Sequence, residues 1–214
     1  MDNIQNPLTY LDRMSKPLQE KLKVAKYISK STKSVLDVGC ADGTVTLALA
    51  DMFPNINFLG IDLDQDFIDI ANQKVEARKN VRFECVYLRE KLADEEKFDV
   101  VLFCSVLHEF FSYGEGISSV VKALSDAREL LNTGGEIVIR DMLLYSYAEK
   151  SDLWLDEILK KVRKPELLPQ IDDFERYFGK MNGVKQVNHF LLKYMYTDNW
   201  QREVKENYTP VNFE

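Results

Sequence analysis

The sequence has few of the side chains that bind metal ions or form disulfide bonds. It contains two histidines and three cysteines, and no two cysteines are close neighbours along the chain. Zinc sites are built from Cys and His ligands at short spacings, so we expect no metal site. Cys40, Cys85 and Cys104 lie in or beside apolar segments typical of buried strands. A small, odd number of cysteines at such positions predicts reduced thiols in a cytoplasmic protein.

Long apolar runs and an excess of positive charge are also missing. No run approaches the ~18 apolar residues that would span a bilayer, and the N-terminal segment lacks the basic start and apolar core of a signal peptide. The net charge is -7, whereas general affinity for nucleic acids needs clustered Lys and Arg. We therefore expect no membrane association, and we disfavour nucleic acid as a partner. One basic cluster predicts a solvated helix face, with an RNA contact as the second interpretation: Lys160, Lys161, Arg163 and Lys164.

The chain is rich enough in apolar residues, at 45% of 214, for one domain with a full core. Short apolar segments alternate with segments of helical periodicity. The predicted strands are 34–38, 56–61, 81–86, 98–104 and 136–142, and the predicted helices are 17–30, 44–52, 64–78 and 118–131. Near-continuous apolar strands, each followed by a helix, predict an α/β fold with a mainly parallel sheet between two helical layers.

The last third of the chain has a different pattern. Segments 151–162 and 172–181 predict helices, 184–196 fits either a strand or a helix, and 197–208 begins with a helix-start signal. The tail therefore either adds antiparallel strands to the sheet or is helical throughout. We predict a single domain over 1–214. It has an N-terminal helical cap (1–30), a core (31–145) and a closing segment on the substrate side (146–214).

The segment VLDVGCADGT joins the first predicted strand to a helix through two glycines. Gly39 and Gly43 let a ligand approach the backbone closely, and the helix that Gly43 opens favours a carboxylate or phosphate at its N-terminus. Asp62 ends the second strand about 20 residues further on, where an acid accepts hydrogen bonds from both ribose hydroxyls. Asp37, inside the first strand, could face an ammonium group. Together these residues predict a ligand with an amino-acid end and a nucleoside end.

These motifs resemble the class I S-adenosylmethionine-dependent methyltransferases. The matching segments follow the order and spacing of that family and cover about residues 30–142: VLDVGCADGT at 35–44, GID at 60–62, FDVV at 98–101 and LNTGG at 131–135. The resemblance implies a three-layer Rossmann-like sandwich that binds S-adenosyl-L-methionine. It also implies transfer of a methyl group to an oxygen, nitrogen or carbon atom of a small molecule.

The resemblance assigns expected roles to individual residues. The loop residues expected at the cofactor, mostly around its methionine part, are Asp37, Gly39, Cys40, Ala41, Gly43 and Thr44. Asp62 would hold the ribose, Leu63 would pack on the adenine, and Cys104 would offer its backbone near the amino group. After the third strand, many relatives carry Gly-Asp where this chain has Val86 and Tyr87. Tyr87 is therefore expected to border or stack on the adenine.

The acceptor side is expected just after the fourth and fifth strands. His108 is a candidate general base with Glu109 as its orienting partner; the alternative is a helix-start histidine that only shapes the pocket. Arg140 and Asp141 either bind a polar acceptor or pair with each other. Further candidates for the acceptor wall, which could equally fasten a helix to the sheet, are aromatic: Tyr10, Tyr113, Tyr196 and Trp200.

Other functions remain as alternatives. An RNA or protein methyltransferase is the second enzyme hypothesis, although the Asp/Asn-Pro-Pro-Tyr/Phe segment of enzymes that methylate the amino groups of bases is missing. A non-catalytic protein that binds S-adenosylmethionine and grips a partner is the third, and a homodimer is one expected assembly. Ala41 interrupts the Gly-x-Gly-x-x-Gly fingerprint, which argues against a nicotinamide-binding protein.

Overall fold

The computed structural model describes residues 17–142 and 155–208. Within these ranges, five parallel strands form one sheet in the order β3-β2-β1-β4-β5. The strands are β1 (Ser34–Val38), β2 (Asn57–Asp62), β3 (Val81–Cys85), β4 (Phe98–Cys104) and β5 (Leu131–Arg140). From β1 the chain adds β2 and β3 on one side of the sheet, and it then adds β4 and β5 on the other side. The switch point therefore lies between β1 and β4. Open α/β sheets bind ligands at such a switch point, beyond the carboxyl ends of the strands.

Helices cover both faces of the sheet and make up the C-terminal portion. The α-helices are α1 (Leu18–Lys21), α2 (Thr44–Met52), α3 (Gln65–Gln73), α4 (Leu107–Tyr113), α5 (Ile117–Glu129), α6 (Leu155–Val162), α7 (Leu168–Phe178), α8 (Val184–Lys193) and α9 (Trp200–Glu203). Short 3-10 helices lie at Leu22–Tyr27, Glu90–Asp94, Pro165–Leu167 and Thr197–Asn199. None of the helices in the two described ranges has the length and apolar character needed to cross a bilayer.

The core confirms the predicted three-layer arrangement. Successive side chains of a strand point to opposite faces of the sheet. The buried cluster on one face includes Val35, Phe58, Val100 and Leu102, and the cluster on the other includes Leu36, Leu59, Val101 and Phe103. Strands β1, β2 and β4 therefore contribute apolar side chains to both layers, which explains their almost uninterrupted apolar sequences. The edge strand β3 contributes Val81 and Phe83 to the first layer only.

The C-terminal portion packs around a third apolar cluster and is helical. Segment 184–196, which fits a strand or a helix by sequence, forms α8 over Val184–Lys193, and no strand follows β5 within residues 155–208. Phe174, Val187 and Phe190 are fully buried at the centre of this cluster. Of the two predicted arrangements of the tail, the helical one is observed.

The end of the described chain returns to the carboxyl edge of the sheet and contacts α4. The backbone N–H of Asn207 donates to Ser112 Oγ at 2.7 Å, and Tyr113 Oη donates to Glu206 Oε1 at 2.6 Å. The rings of Tyr208 and His108 meet edge to face with centroids 5.1 Å apart. Residues 202–208 therefore form a wall beside the switch point.

Candidate functional site

A cavity of about 790 Å³ opens at the carboxyl ends of β1, β2 and β4. Its walls come from the β1–α2 loop, the residues that follow β2, β3 and β4, helix α4, two residues of α1 and one residue of α9. Ligand pockets for drug-sized molecules fall between about 300 and 1,000 Å³. The cavity is therefore large enough for one ligand of nucleotide size, and its position is that of the switch point.

The β1–α2 loop forms one wall with its backbone. Gly39 and Gly43 adopt φ angles of 70° and 72°, in the left-handed region. A Cβ atom at Gly39 would lie 2.4 Å from a methyl group of Val106, and one at Gly43 would lie 2.5 Å from the ring of Phe83. Side chains at these positions would push the loop away from the strands. Gly39 lines the cavity, whereas Gly43 does not and instead lets α2 begin against Phe83.

Asp62 ties this loop to the end of β2. Its Oδ2 accepts from the backbone N–H of Ala41 at 2.8 Å, and its Oδ1 accepts from that of Asp64 at 3.0 Å. Asp64, not Asp62, caps α3 by accepting from the N–H groups of Asp66 and Phe67. Burial raises the pKa of Asp62. The backbone N–H of Leu63 also interacts with this carboxylate, and its remaining acceptor capacity is available to a hydroxyl of a ligand.

Asp37 is a buried acid with one unsatisfied oxygen. The residue is 2% exposed, and its Oδ2 accepts from Thr46 Oγ1 at 2.6 Å. Its Oδ1 has no hydrogen-bond partner within the described residues. Burial raises the pKa of Asp37 to about 6. A buried carboxylate oxygen without a partner is costly, and Asp37 lies on the cavity wall, so a cationic ligand group would offset that cost.

Lys21 of α1 also lies on the cavity wall, and the sequence reasoning missed it. The residue is 7% exposed, and burial lowers its pKa. A signal was present, because Lys21 falls on the helix face defined by the apolar residues Leu18, Leu22 and Ala25. A lysine on such a face must either extend to solvent or meet a negative charge.

His108 lies behind the cavity wall. Its Nδ1 donates to Asp141 Oδ1 at 2.9 Å, and its backbone N–H donates to Asp141 Oδ2 at 3.2 Å. Its Nε2 is 3.8 Å from Glu206 Oε2. Burial acts to lower the pKa of His108, but the hydrogen bond and charge of Asp141 outweigh it and the pKa is raised. Asp141, which follows the neighbouring strand β5, therefore takes the orienting position that the sequence suggested for Glu109.

Glu109 itself lines the cavity, together with Tyr113 and Arg202. Burial, and next the charge of Glu206, raise the pKa of Glu109 to about 7. Arg202 joins the two acids, with Nη2 3.2 Å from Glu109 Oε2 and 3.3 Å from Glu206 Oε1. The sequence reasoning missed Arg202, which α9 brings to the cavity from the far end of the chain. The cavity wall thus carries a carboxyl group, that of Glu109, which can gain or lose a proton near neutral pH.

The remaining predicted residues divide between the cavity wall and other surroundings. Those that line the cavity are Cys40, Ala41, Thr44, Leu63, Tyr87 and Cys104. Burial raises the pKa of Cys104 to about 11 and that of Cys40 well above its ordinary value, so both thiols are neutral. Tyr10 is outside the described residues. Tyr196 is not part of the wall, and Trp200 packs in the C-terminal cluster, where Nε1 donates to Asp173 Oδ2 at 3.1 Å.

The other charged candidates are the pair at the end of β5 and the basic cluster at the end of α6. Arg140 and Asp141 do not pair with each other: Arg140 donates to the Ser105 hydroxyl, and Asp141 binds His108. Successive residues of an extended segment point to opposite sides, which keeps the two apart. The basic cluster at the end of α6 and just beyond it is exposed; Lys160, for example, lies 3.2 Å from Glu157. Exposure fits the predicted solvated face, and the second interpretation, an RNA contact, stays a prediction.

The comparisons with known proteins agree on one kind of domain. Residues 36–137 match the model of a family described as a methyltransferase domain. A malonyl-[acyl-carrier protein] O-methyltransferase of Acetivibrio thermocellus is 26% identical over 156 residues, which are 72% of this chain and 54% of that protein. A ubiquinone biosynthesis O-methyltransferase of Coxiella burnetii is 24% identical over 53% of this chain and 45% of that protein. The chain thus spans about half the length of these curated relatives.

Solved structures with the same fold are also methyltransferases. The plantazolicin methyltransferase BpumL, in complex with SAH and a desmethyl analogue, has a TM-score of 0.51 and 20% identity. The match covers 75% of this chain and 58% of that one. The SAM-bound amino pentose methyltransferase CalS10 of Micromonospora echinaspora has a TM-score of 0.50 and 21% identity, over 62% of this chain and 53% of that one. These likenesses establish a Rossmann-like methyltransferase fold.

Proposed function

We propose that this chain is a class I S-adenosylmethionine-dependent methyltransferase that transfers a methyl group from S-adenosylmethionine to a small-molecule acceptor. The observation that carries the proposal is the cavity at the switch point. Asp62 lies at one part of its wall, and the partly unsatisfied carboxylate of Asp37 lies at another. These are the groups needed for a ribose and for an α-ammonium group.

The residues present fit this cofactor. Asp62 would accept hydrogen bonds from the ribose hydroxyls, and Leu63 and Tyr87, which are 40% and 57% exposed without a ligand, would flank the adenine. Gly39, whose lack of a side chain keeps the loop close to the strands, leaves room for the methionine part. When bound, the cofactor supplies an electrophilic methyl group on a sulfonium. Its positive charge is compatible with a wall that carries more acids than bases.

The chain's own contribution is to orient the acceptor, exclude water and accept a proton. We assign proton acceptance to Glu109, because it lies on the cavity wall and its pKa of about 7 matches the working range of a general base. His108 as the base stays a prediction. Its raised pKa favours the imidazolium form, and its position between Asp141 and Glu206 suits a positioning residue. Phe110 and Tyr113 give the acceptor part of the wall an aromatic surface.

The names of the relatives support a small-molecule acceptor. They do not decide whether the methyl group goes to an oxygen, a nitrogen or a carbon atom. Two are O-methyltransferases and one is an amino pentose methyltransferase. We propose a cytoplasmic location on the strength of the free cysteines, of which Cys40 and Cys104 are buried. A homodimer stays a prediction.

The proposal is tested by methyl turnover. Purified protein would be incubated with S-adenosylmethionine and a panel of phenols, primary amines, amino sugars and carboxylic acids, and the release of S-adenosylhomocysteine would be measured. We expect release with at least one acceptor class and its loss in Asp62→Ala. The control Asp69→Ala removes an exposed acid from α3 and should retain activity. Binding of S-adenosylmethionine without turnover on any acceptor would favour the non-catalytic alternative.

A further inference from the structure

Glu109 and Arg202 form a charged pair on the cavity wall beside two aromatic rings. Arg202 Nη2 lies 3.2 Å from Glu109 Oε2, and both residues line the cavity. Phe110 and Tyr113, from the same helix as Glu109, also line it. The guanidinium of Arg202 lies 5.5 Å from the ring centroid of Tyr113. The acceptor part of the wall thus combines an acid, a cation and a flat apolar surface.

The surroundings of Glu109 determine how easily it takes a proton. The charged groups that act on it are those of Glu206, Arg202, His108 and Asp62. Burial, and next the charge of Glu206, raise the pKa of Glu109 to about 7. Arg202 and His108 act in the opposite direction. Tyr113 adds no charge, because burial raises the pKa of its hydroxyl, which donates to Glu206. Glu109 therefore exchanges a proton near neutral pH while the guanidinium stays positive.

Protonation of Glu109 removes the negative charge that Arg202 faces on the cavity wall. Glu206 stays 3.3 Å from the guanidinium, but it is not part of that wall. If the proton comes from an acceptor hydroxyl, a negative charge appears on the acceptor oxygen as the charge on Glu109 disappears. A guanidinium presents five N–H donors in a planar fork and binds such an oxygen strongly. A fixed positive charge in a water-excluded site is most effective where negative charge develops.

We propose that Arg202 binds the acceptor oxygen and that the acceptor is an acidic hydroxyl compound, such as a phenol or an enol. The hydroxyl proton moves to Glu109, and the electron pair of the O–H bond stays on oxygen. This oxygen attacks the methyl carbon, whose bond to sulfur breaks with its electron pair left on sulfur. The products are a methyl ether and S-adenosylhomocysteine. This assignment rests on the proposed function and deepens it, because it names the class of acceptor.

The same wall disfavours a protonated amine. An ammonium group beside Arg202 would place two positive charges next to each other. After its proton had moved to Glu109, the neutral amine would offer the guanidinium no negative charge in exchange. Phe110 and Tyr113 add to the distinction, because aromatic rings attract a planar ring in offset or edge-to-face arrangements. A ring that carries an acidic hydroxyl therefore matches this wall better than an alkyl ammonium compound does.

The experiment uses 4-nitrophenol, whose phenol and phenolate forms differ in absorption, with protein saturated in S-adenosylhomocysteine. At a pH about one unit below the pKa of this probe, about a tenth of the free probe is phenolate. We expect binding to the wild type to raise the ratio of phenolate to phenol by about 10-fold or more, the range for a hydrogen bond to a charged group. Arg202→Met should abolish this rise, and Arg202→Lys should restore part of it.

Two variants and a second probe separate the charge of Arg202 from other causes. Glu109→Gln keeps the guanidinium and mimics the protonated acid, so it should keep the rise in phenolate although it slows turnover. Arg128→Met removes an exposed guanidinium from α5 and should behave as the wild type does. Benzylamine, an ammonium compound of similar size, should bind the wild type at least about 10-fold more weakly than 4-nitrophenol.

Four results would overturn the assignment of Arg202. The wild type would not bind 4-nitrophenol, or the bound probe would have the phenolate ratio of the free probe. The rise would persist in Arg202→Met, or benzylamine would bind as tightly as 4-nitrophenol. If Arg202→Met fails to fold, Arg202→Gln takes its place with the same expected loss. Any of these results, with S-adenosylhomocysteine still bound, leaves the proposed function standing. A wild type that does not bind S-adenosylhomocysteine would refute the proposed function itself, and the acceptor class with it.

Discussion

Lys193 allows a quantitative test of how the helical tail is held against the site. It ends α8 and is fully buried, with Nζ donating to the backbone oxygen of Glu206. The ammonium lies 4.6 Å from the ring centroid of Phe178 and 5.0 Å from that of Tyr208. Burial lowers its pKa from 10.5 to about 7, against the attraction of Glu206 and Glu203. Because Glu206 also accepts from Tyr113, this contact links the tail to the cavity wall.

The sign of the pH effect follows from these two pKa values. Between pH 7 and pH 10.5, the unfolded chain holds a proton on Lys193 that the folded chain releases. Lys193 therefore lowers the free energy of unfolding at pH 7. This loss shrinks as the pH rises, by at most about 1.4 kcal/mol per pH unit. With a folded pKa of about 7, this single group should add about 2 kcal/mol between pH 7 and pH 9.

The assay is urea unfolding at pH 7, 8 and 9 of the wild type and Lys193→Met. The methionine fills a similar volume among the rings and has no ammonium to neutralise. Other groups near Lys193 also titrate, including Glu203, whose pKa burial raises to about 7, and His189, whose pKa burial lowers to about 3. They contribute to both proteins, so only the difference between the two curves is interpreted.

We expect the free energy of unfolding of the wild type to rise relative to Lys193→Met by about 2 kcal/mol over these two pH units. Lys185→Met, on the exposed face of the same helix, should follow the wild type. A difference between the wild type and Lys193→Met that does not change with pH would refute the reasoning. Lys193 would then remain charged in the folded protein, paired with its two acids.

Three further predictions concern other parts of the molecule. Gly39→Ala should lower the melting temperature by about 4–8 °C through left-handed strain plus overlap with the neighbouring valine; Gly179→Ala has a similar φ but open space, so it should cost less. Glu109→Gln should remove the rise of activity with pH near 7 and slow turnover by about 100-fold or more, whereas His108→Gln should keep that rise; the reverse pattern would make His108 the base. Asp99→Asn should destabilise by about 1 kcal/mol at pH 7 in urea unfolding. Its carboxylate accepts the N–H groups of residues 33 and 34 and its pKa is lowered, so the difference should shrink as the pH falls below about 4; a constant difference would contradict this.

The elements with a strong local pattern were predictable from the sequence. Strand β1, helix α2 and strand β4 have the predicted bounds, because an apolar run, a glycine turn and a proline identify them locally. Strand β5 begins at Leu131 rather than at residue 136, because the Asn-Thr-Gly-Gly segment is absorbed as an irregularity in its pairing with β4. Helix α4 was predicted only through the alternative in which His108 starts a helix, since its short sequence, LHEFFSY, has no clear periodicity.

The candidate site was predictable where one segment supplies it, and less so where distant segments meet. The loop after β1 and the acid at the end of β2 line the cavity as expected, because parallel strands bring their carboxyl ends to one edge. Arg202 reaches the cavity only because the end of the described chain returns to α4, where Arg202 contacts Glu109 and Tyr113, and no local pattern encodes such a contact. Asp141 reaches His108 because β5 is the neighbour of β4. Trp200, a candidate for the acceptor wall, packs instead in the apolar cluster of the C-terminal portion.

The most direct test of the account is calorimetric titration of S-adenosylmethionine and S-adenosylhomocysteine into the wild type and Asp62→Ala. The account predicts binding to the wild type and a loss of at least about 10-fold in Asp62→Ala, because two hydrogen bonds from the ribose would lose their acceptor. Asp69→Ala should bind as the wild type does. A wild type that binds neither ligand, or an Asp62→Ala variant that is folded and binds both with unchanged affinity, would contradict the assignment of this cavity to the cofactor.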